Sequence, residues 1–150
     1  MTFDIFYLKP DAKPPVRLLL QSIGYDVHAY LKTETSRASS KLIPPQGTVS
    51  IPTGLVIRPP DGFVCLVCSR SGLATNSIFV ANAPGVIDPD YTGELQILLY
   101  NGGWEPHWTK HEDRIAQILL IPQPGVFDVR QITELPATER GERGFGSTGR

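Results

Sequence analysis

The sequence predicts an all-β fold for this chain. Gly and Pro, the residues that most often interrupt helices, each occur 14 times in 150 residues, and they leave no window longer than about a dozen residues for a regular helix. Short runs of β-branched or alternating apolar residues recur between these breakers, as in the strands of a sandwich, barrel or jelly roll. A chain of this length fits one domain with its own hydrophobic core.

The individual elements follow from these runs in order along the chain. The predicted strands are residues 3–8, 16–20, 49–57, 63–68, 78–80, 94–100, 114–121 and 126–132. Helical turns are expected only at residues 70–75 and around residues 31–36. We place the β domain at residues 1–135. Residues 136–150 are rich in glycine and charge and carry one large apolar side chain, Phe145, so we expect them to form a flexible C-terminal arm.

The composition excludes several classes of protein. The formal net charge is -1 and the pI is near 6.3, and the lack of a basic stripe argues against a nucleic-acid partner. The longest apolar runs, such as residues 115–121, are far shorter than the ~20 residues that a membrane-spanning helix needs. Residues 1–13 lack the pattern of a secretion signal, so we expect a cytoplasmic or nuclear protein with no membrane partner.

Some short patterns in the sequence do not predict a cofactor or metal site. Residues 144–149 match the dinucleotide pattern G-x-G-x-x-G, but no helix can follow them before the chain ends. Cys65 and Cys68 form a C-x-x-C pair in an apolar, strand-like run, which favours buried core cysteines on opposite faces. Their spacing from His107 and His111 does not fit a zinc finger, and these histidines are expected in exposed loops.

Other segments carry groups whose chemistry is more informative. Residues 85–94 place Asp88, Asp90 and Tyr91 in a compact hairpin, although an acidic β-turn is the ordinary interpretation. Residues 70–74 offer a guanidinium, a hydroxyl and backbone N–H groups suited to phosphate oxygens, or alternatively a capped turn with a solvated arginine. The tail adds anion donors around Phe145, whose ring can stack on a base, and its alternative is a flexible polar terminus.

The order of these segments resembles the five motifs of the trimeric deoxyuridine triphosphatases, or dUTPases. The motifs correspond to IGYDV (23–27), SRSGLA (69–74), NAPGVIDPDYTGE (82–94), DRIAQ (113–117) and RGERGFGSTG (140–149). Each motif alone is weak, but all of them in the family's order over residues 23–149 make a chance resemblance very improbable.

The resemblance implies a dUTPase-like jelly roll of the β-clip type, assembled as a homotrimer with active sites shared between subunits. It also implies the hydrolysis of dUTP to dUMP and pyrophosphate by attack of water on the α-phosphate, with Mg2+ as cofactor. This reaction lowers dUTP and supplies dUMP for dTTP synthesis. The C-terminal arm would close over a site that is built largely by neighbouring chains.

The resemblance gives the nucleoside its binding residues. Asp88 would be the general base that activates the attacking water. Tyr91 would lie against the deoxyribose and leave no room for a ribose 2′-hydroxyl. The uracil edge would be read around the hairpin, mostly by backbone groups, and the tight fit would exclude the methyl group of thymine. Cytosine would be rejected because its donor and acceptor are interchanged, which would leave buried backbone groups unpaired. The residues around this edge are Asn82, Gly85, Ile87 and Gln96.

The resemblance also gives the inner phosphates their binding residues. Arg70, Ser71 and Gly72 would cradle the α- and β-phosphates, with Gln117 near the α-phosphate and the catalytic water. Asp26 would contact Mg2+ through the water shell of the ion, because Mg2+ usually keeps waters and takes its direct contacts from phosphate oxygens. The alternative role for Asp26 is structural, as a partner of Arg70 or as part of a turn.

The resemblance implies that the C-terminal arm completes the site. Arg140, Ser147 and Thr148 would hold the γ-phosphate. Phe145 would stack on the uracil, and Gly146 would let the backbone approach the nucleotide.

The chain departs from the family pattern at a few positions. Ile23 stands where the family usually has Ala, Glu112 where it often has Gly, and Arg143 where the arm commonly has a second Gly. None of these changes removes a reacting group. Residues 102–111 are less familiar; we expect Trp108 to fill an apolar slot and assign the segment no function.

Two other classes of function remain open. A non-catalytic member of the fold could serve as a protein-binding or signalling module, because fold does not fix function. A relative of the dCTP deaminases would share the fold but act on the pyrimidine ring. The presence of Asp88, Tyr91, Gln117 and Phe145 and of a complete arm favours the pyrophosphatase over both.

Overall fold

The protein is made almost entirely of strands. A computed structural model describes residues 2–33, 39–123, 125, 127–134, 136–139 and 141. The elements are β1 (Asp4–Tyr7), β2 (Tyr25–His28), β3 (Ser40–Ile43), β4 (Thr48–Pro52), β5 (Leu55–Arg58), β6 (Phe63–Cys68), α1 (Ser71–Ala74), β7 (Ile78–Val80), β8 (Gly85–Ile87), β9 (Gln96–Asn101), β10 (His107–Lys110) and β11 (Arg114–Pro122). Over these ranges α1 is the only helix, and no helix is long and apolar enough to cross a membrane. The predicted all-β class is confirmed.

The strands pair in an antiparallel manner throughout the described residues. The largest sheet has the order β2-β11-β6-β8, and a three-stranded sheet has the order β4-β9-β7. Two further pairs join β1 to β5 and β3 to β10. The long strand β11 organises the main sheet, because one part of it pairs with β2 and the next part pairs with β6.

The hydrophobic core is built from alternate residues of these strands. In β9, Ile97 and Leu99 are buried while their neighbours face outward, and β6 buries Cys65 and Val67 in the same way. These side chains belong to one cluster that draws on both of the larger sheets. Burial of a large apolar side chain contributes roughly 1.5 to 3 kcal/mol, so the alternation fixes which face of each strand is inside.

The predicted strand at residues 49–57 is two strands in the structure. β4 and β5 are separated at Thr53 and Gly54, where Gly54 has a φ of 73°. The Thr53 hydroxyl donates a hydrogen bond to the carbonyl oxygen of Leu95 at 2.6 Å, which ties this turn to the loop before β9. A left-handed residue interrupts a strand, and glycine adopts this conformation without strain.

Two other predicted strands do not form in the described part of the chain. In residues 16–20 only Val16 forms a bridge, to Asp26, and the three leucines that follow are exposed. Residues 127–132 form no strand, and Val129 is fully exposed; Val126 lies outside the described residues. Apolar, β-branched sequence is insufficient here, because a strand is stabilised by packing against a neighbouring strand.

The helical prediction has a mixed outcome. The turn predicted at residues 70–75 is confirmed as α1. Residues 31–33 are not helical, and residues 34–38 lie outside the described residues. The sequence pattern also fails to indicate β2, β3, β8 and β10, which are short strands whose partners lie elsewhere in the chain.

The structure shows how far the C-x-x-C cysteines, His107 and His111 are buried. Cys65 is buried in the core and Cys68 is half-buried, three positions further along the same strand. The expectation of exposed loop histidines is wrong for exposure, because both residues are half-buried. His107 opens β10, whereas His111 lies in the turn before β11, as expected. The Nδ1 atom of His111 accepts a hydrogen bond from the backbone N–H of Leu31 at 3.2 Å.

The Cys65 thiol is expected to resist alkylation in the folded protein. Burial raises the pKa of Cys65 to about 11, and the reactive thiolate is therefore scarce at pH 8. A Cys68→Ser variant treated with iodoacetamide at this pH should gain no label by mass spectrometry until urea unfolds it. Equal labelling in native and urea-unfolded samples would contradict the buried placement of Cys65.

Candidate active site

The chain turns sharply where β6 ends and α1 begins. Arg70 has an extended backbone, and its carbonyl oxygen accepts hydrogen bonds from the N–H groups of Leu73 and Ala74 at 3.1 and 3.0 Å. Ser71 and Gly72 are exposed, and the space beside Gly72 is open. The first N–H groups of a helix lack intrahelical partners, so this turn can donate hydrogen bonds to an approaching anion.

Asp26 holds two arginines beside this turn. Its Oδ1 accepts from Nε of Arg70 at 2.7 Å, and its Oδ2 accepts from Nη1 of Arg114 at 3.0 Å. Nη1 of Arg70 also donates to the carbonyl oxygen of Arg114 at 3.0 Å. The Asp26 side chain is only 16% exposed. The structural role weighed for Asp26, a pairing with Arg70, is therefore present, and it orients the guanidinium that was predicted to bind phosphate.

Gln117 lies next to Asp26 in the main sheet. In β11 it stands opposite Asp26 on one side and Cys68 on the other. Its Nε2 donates to the carbonyl oxygen of Ser69 at 3.0 Å. A Cβ atom at Gly24 would overlap the Oε1 atom of Gln117, so a side chain at position 24 would displace the amide of Gln117 from its present position.

Four of the six predicted nucleoside residues line one concavity, all except Asn82 and Gly85. Its volume is about 390 Å³, and among its walls are Ile87, Asp88, Tyr91, Glu94 and Gln96. The carbonyl oxygen of Asp88 accepts from the N–H of Tyr91 at 3.1 Å, which closes a tight turn. The structure thus brings a carboxylate, a phenol and an amide to one opening.

Asn82 and Gly85 lie just before this turn. A Cβ atom at Gly85 would approach Nδ2 of Asn82 to 3.1 Å, so a side chain at position 85 would crowd the asparagine. Gln96, at the other end of the loop, accepts a hydrogen bond from the hydroxyl of Ser50.

The expected compact hairpin around these residues is wrong in detail. β7 and β9 do pair as the arms of a hairpin, with Phe79 opposite Tyr100. The loop between them, however, contains β8, which pairs with β6 in the other sheet. The segment therefore crosses from the three-stranded sheet to the four-stranded sheet and back. Asp88 lies where the chain leaves the four-stranded sheet, directly after β8.

Asp88 and Arg70 lie at opposite ends of β6. β8 is antiparallel to β6, with Ile87 opposite Cys65 and Gly85 opposite Val67, so Asp88 is beside the start of β6. Arg70 follows the end of β6. At a rise of about 3.3 Å per residue, the two are separated by roughly 15 to 20 Å along the strand. One chain does not bring them together.

The remaining predicted site residues lie outside the part of the chain that the structure describes. They are Arg140, Phe145, Gly146, Ser147 and Thr148, and Arg143 lies outside it as well. Among the described residues, no group of three or more His, Cys, Asp or Glu side chains could hold a metal ion.

Sequence reasoning gave no role to Gly24, Glu94 or Arg114. Each lies within or beside a quoted motif, which is the only signal of its importance in the sequence. Each contacts a residue that is distant in sequence, namely Gln117 for Gly24, Gly54 for Glu94 and Asp26 for Arg114.

Two of the three departures from the family pattern, Ile23 and Glu112, lie in the described residues. Glu112 has a φ of 67°, which explains why glycine suits this position. Its carboxylate pairs with Lys13 at 2.6 Å, and the hydrogen bond from Lys13 lowers the pKa of Glu112. Ile23 is exposed. Trp108 is more than half exposed, as is Trp104, so the expectation that Trp108 fills an apolar slot is wrong.

Comparison with protein families identifies relatives over most of the chain. The family model described as dUTPase matches residues 17–149. A deoxyuridine 5′-triphosphate nucleotidohydrolase of Leptospira interrogans is 43% identical over 145 residues, covering 95% of this chain and 94% of its own. The enzyme of that name from Anaplasma marginale is 40% identical over 130 residues, covering 86% of this chain and 84% of its own.

Solved structures are similar as well. The dUTPase of Staphylococcus bacteriophage 80alpha with dUpNHpp aligns with a TM-score of 0.79 and 26% identity, covering 99% of each chain. A mutant dUTPase of phage phi11 of S. aureus, described with a structural Mg(II) ion, has a TM-score of 0.75 and 21% identity, covering 89% of this chain and 98% of that one. These alignments confirm the predicted dUTPase-like jelly roll. With a family model and curated relatives that span most of its length, the chain belongs to the dUTPase family.

Proposed function

We propose that this protein is a dUTP diphosphatase, which hydrolyses dUTP to dUMP and pyrophosphate by attack of water on the α-phosphorus. The observation that carries the proposal is the 390 Å³ concavity that gathers Asp88, Tyr91 and Gln96 in a chain of the dUTPase family. The reaction lowers dUTP and supplies dUMP for dTTP synthesis.

In this proposal the concavity binds the nucleoside. Asp88 is the general base, and its exposed carboxylate at the mouth can accept a proton from a water poised for attack. Tyr91 packs against the deoxyribose and blocks a ribose 2′-hydroxyl. The residues that read the uracil edge are Asn82, Gly85, Ile87 and Gln96.

The phosphates bind at the other cluster. Arg70, held by Asp26, and the open turn at Ser71 and Gly72 supply donors for the α- and β-phosphates. Gln117 lies near the α-phosphate and the attacking water. The arm, residues 136–150, is proposed to close over the nucleotide: Arg140, Ser147 and Thr148 bind the γ-phosphate, Phe145 stacks on the uracil and Gly146 permits close approach.

The distance between Asp88 and the cradle at Arg70 in one chain supports a shared site in a homotrimer. A base must lie within about 3 Å of the water that it activates, and in one chain Asp88 and Arg70 are at opposite ends of β6. A second copy can place its cradle next to the Asp88 of the first copy.

The trimer should be visible as mass in solution. Light scattering is expected to give about three times the chain mass of 16.5 kDa. Mixed trimers of Asp88→Asn chains and chains lacking residues 140–150 should regain some activity, because intact parts from different subunits can meet at one site. A monomer with full activity would contradict the shared site.

The donor set fits Mg2+ that is bound chiefly by substrate. Asp26 is the carboxylate in the cradle, and each of its oxygens accepts one guanidinium hydrogen bond. A carboxylate offers about four acceptor positions, so Asp26 can still accept hydrogen bonds from waters on the ion. When bound, Mg2+ would supply positive charge to the triphosphate. Asp26 and Arg70 would orient the triphosphate from the protein side.

Product analysis tests the proposed reaction. Purified protein incubated with dUTP and Mg2+ should release pyrophosphate and dUMP in equal amounts, and with dCTP it should release no ammonia. Ammonia release from dCTP would favour the deaminase relative. Absence of turnover with correctly folded, full-length protein would favour a non-catalytic binding module.

A further inference from the structure

Tyr91 is positioned by the backbone that follows it. Its hydroxyl donates to the carbonyl oxygen of Glu94 at 3.1 Å. Its ring covers Gly93 so closely that a Cβ atom there would lie 2.9 Å from Cε2 and overlap the hydroxyl. The position of the ring is therefore set by where the chain places Gly93 and Glu94.

The side chain of Glu94 fastens this backbone to a different part of the molecule. Its Oε1 accepts a hydrogen bond from the N–H of Gly54 at 2.7 Å, in the turn between β4 and β5. Gly54 itself is buried, so its N–H would lose a partner without this carboxylate. A hydrogen bond to an ionised acceptor is roughly twice as strong as one between neutral groups.

Gly54 is also held by residues near the N-terminus of the chain. The carbonyl oxygen of Gly54 accepts from the N–H groups of Leu8 and Lys9 at 2.9 and 3.2 Å. A Cβ atom at Gly54 would lie 2.9 Å from that of Ala12. Gly54 therefore cannot shift freely, and it is a fixed point against which Glu94 can hold the site loop.

We infer that Glu94 is a positioning residue that sets the place of the Tyr91 ring and thereby the rejection of ribonucleotides. The inference rests on the proposed function, because it assigns the Tyr91 ring to the sugar of dUTP. Glu94 lines the same concavity as Asp88 and Tyr91, but it acts through the loop. Loss of its bond to Gly54 would let residues 93 and 94 move and open space beside the 2′ carbon.

The test compares kcat/KM for dUTP and for UTP in three variants. Glu94→Ala removes the acceptor and should lower the dUTP-to-UTP ratio about tenfold, since a displacement near 1 Å in a sugar pocket is enough to change discrimination. Glu94→Gln keeps an oxygen for Gly54 and should retain the ratio within about threefold. Thr53→Val is the matched control, because it removes the hydrogen bonds of the Thr53 hydroxyl in this turn, to the carbonyl oxygen of Leu95 and from the N–H of Leu55, and leaves the bond between Glu94 and Gly54 in place.

A merely structural role would move the melting temperature and leave the ratio unchanged. Thr53→Val should behave in that way, while Glu94→Ala should change both. If Glu94→Ala does not fold, Glu94→Asp gives the same comparison, because its shorter side chain cannot reach Gly54 from the same backbone. A folded Glu94 variant that lacks the bond and hydrolyses dUTP with wild-type discrimination overturns the inference. Failure of the wild-type protein to hydrolyse dUTP would instead overturn the proposed function.

Discussion

Asp88→Asn is expected to lower the turnover of dUTP by roughly 10²- to 10⁴-fold, the usual contribution of a positioned general base. The amide keeps the shape of the carboxylate but cannot take the proton of the attacking water. Nucleotide affinity, measured by calorimetry with a non-hydrolysable dUTP analogue, should stay within a few-fold of wild type.

Asp90→Asn is the matched control for this change. Asp90 lies in the same exposed loop but faces a different groove, beside Phe6 and Val56. Its variant should keep turnover close to wild type. Near-wild-type turnover in Asp88→Asn would rule out Asp88 as the base, and equal losses in both variants would indicate a general effect of loop charge.

Asp26→Ala is expected to lower turnover by about 10²-fold, because misplacement of a substrate-binding group costs this much even when the group remains. Without Asp26, the Nε atom of Arg70 and the Nη1 atom of Arg114 lose their acceptor, and two guanidinium groups are left without the carboxylate between them. The free energy of unfolding should fall by about 2 kcal/mol. This value lies between those of exposed and buried pairs, as expected for partly exposed arginines.

Asp11→Asn is the control that separates the loss of turnover in Asp26→Ala from the general effect of removing an ion pair. The hydrogen bonds from Lys32 and Tyr30 lower the pKa of Asp11 to about 2. The pair of Asp11 and Lys32 is partly exposed and lines a different concavity from the one beside Arg70 and Arg114. Its removal should leave turnover unchanged. Assays at temperatures below the melting transition of each variant ensure that differences in stability do not affect the measured turnover. Wild-type turnover in Asp26→Ala would contradict the orienting role of Asp26.

The all-β fold was predictable because it depends on local features of the sequence. Breakers at both sides of an apolar run, as around residues 63–68, are enough to indicate a strand such as β6. Residues 16–20 and 127–132 have the same character, yet they form no strand where the structure describes them. Pairing depends on a partner strand, which is a tertiary property that no local window contains.

The candidate site was predictable to a similar extent. Motif order placed Asp88, Tyr91 and Gln96 in one group, and they share one concavity. The supporting residues were not predictable, because their partners lie far away in the sequence. Gly24 matters only because Gln117 lies over it, and Glu94 matters only because Gly54 points its N–H at it.

Hydrolysis of dUTP in ¹⁸O-labelled water tests the central claim most directly. If Asp88 activates a water beside the nucleoside concavity, the water attacks the α-phosphorus, and mass spectrometry should find one ¹⁸O atom in the phosphate of dUMP and none in pyrophosphate. Label in pyrophosphate would mean attack on the β-phosphorus and would contradict the account.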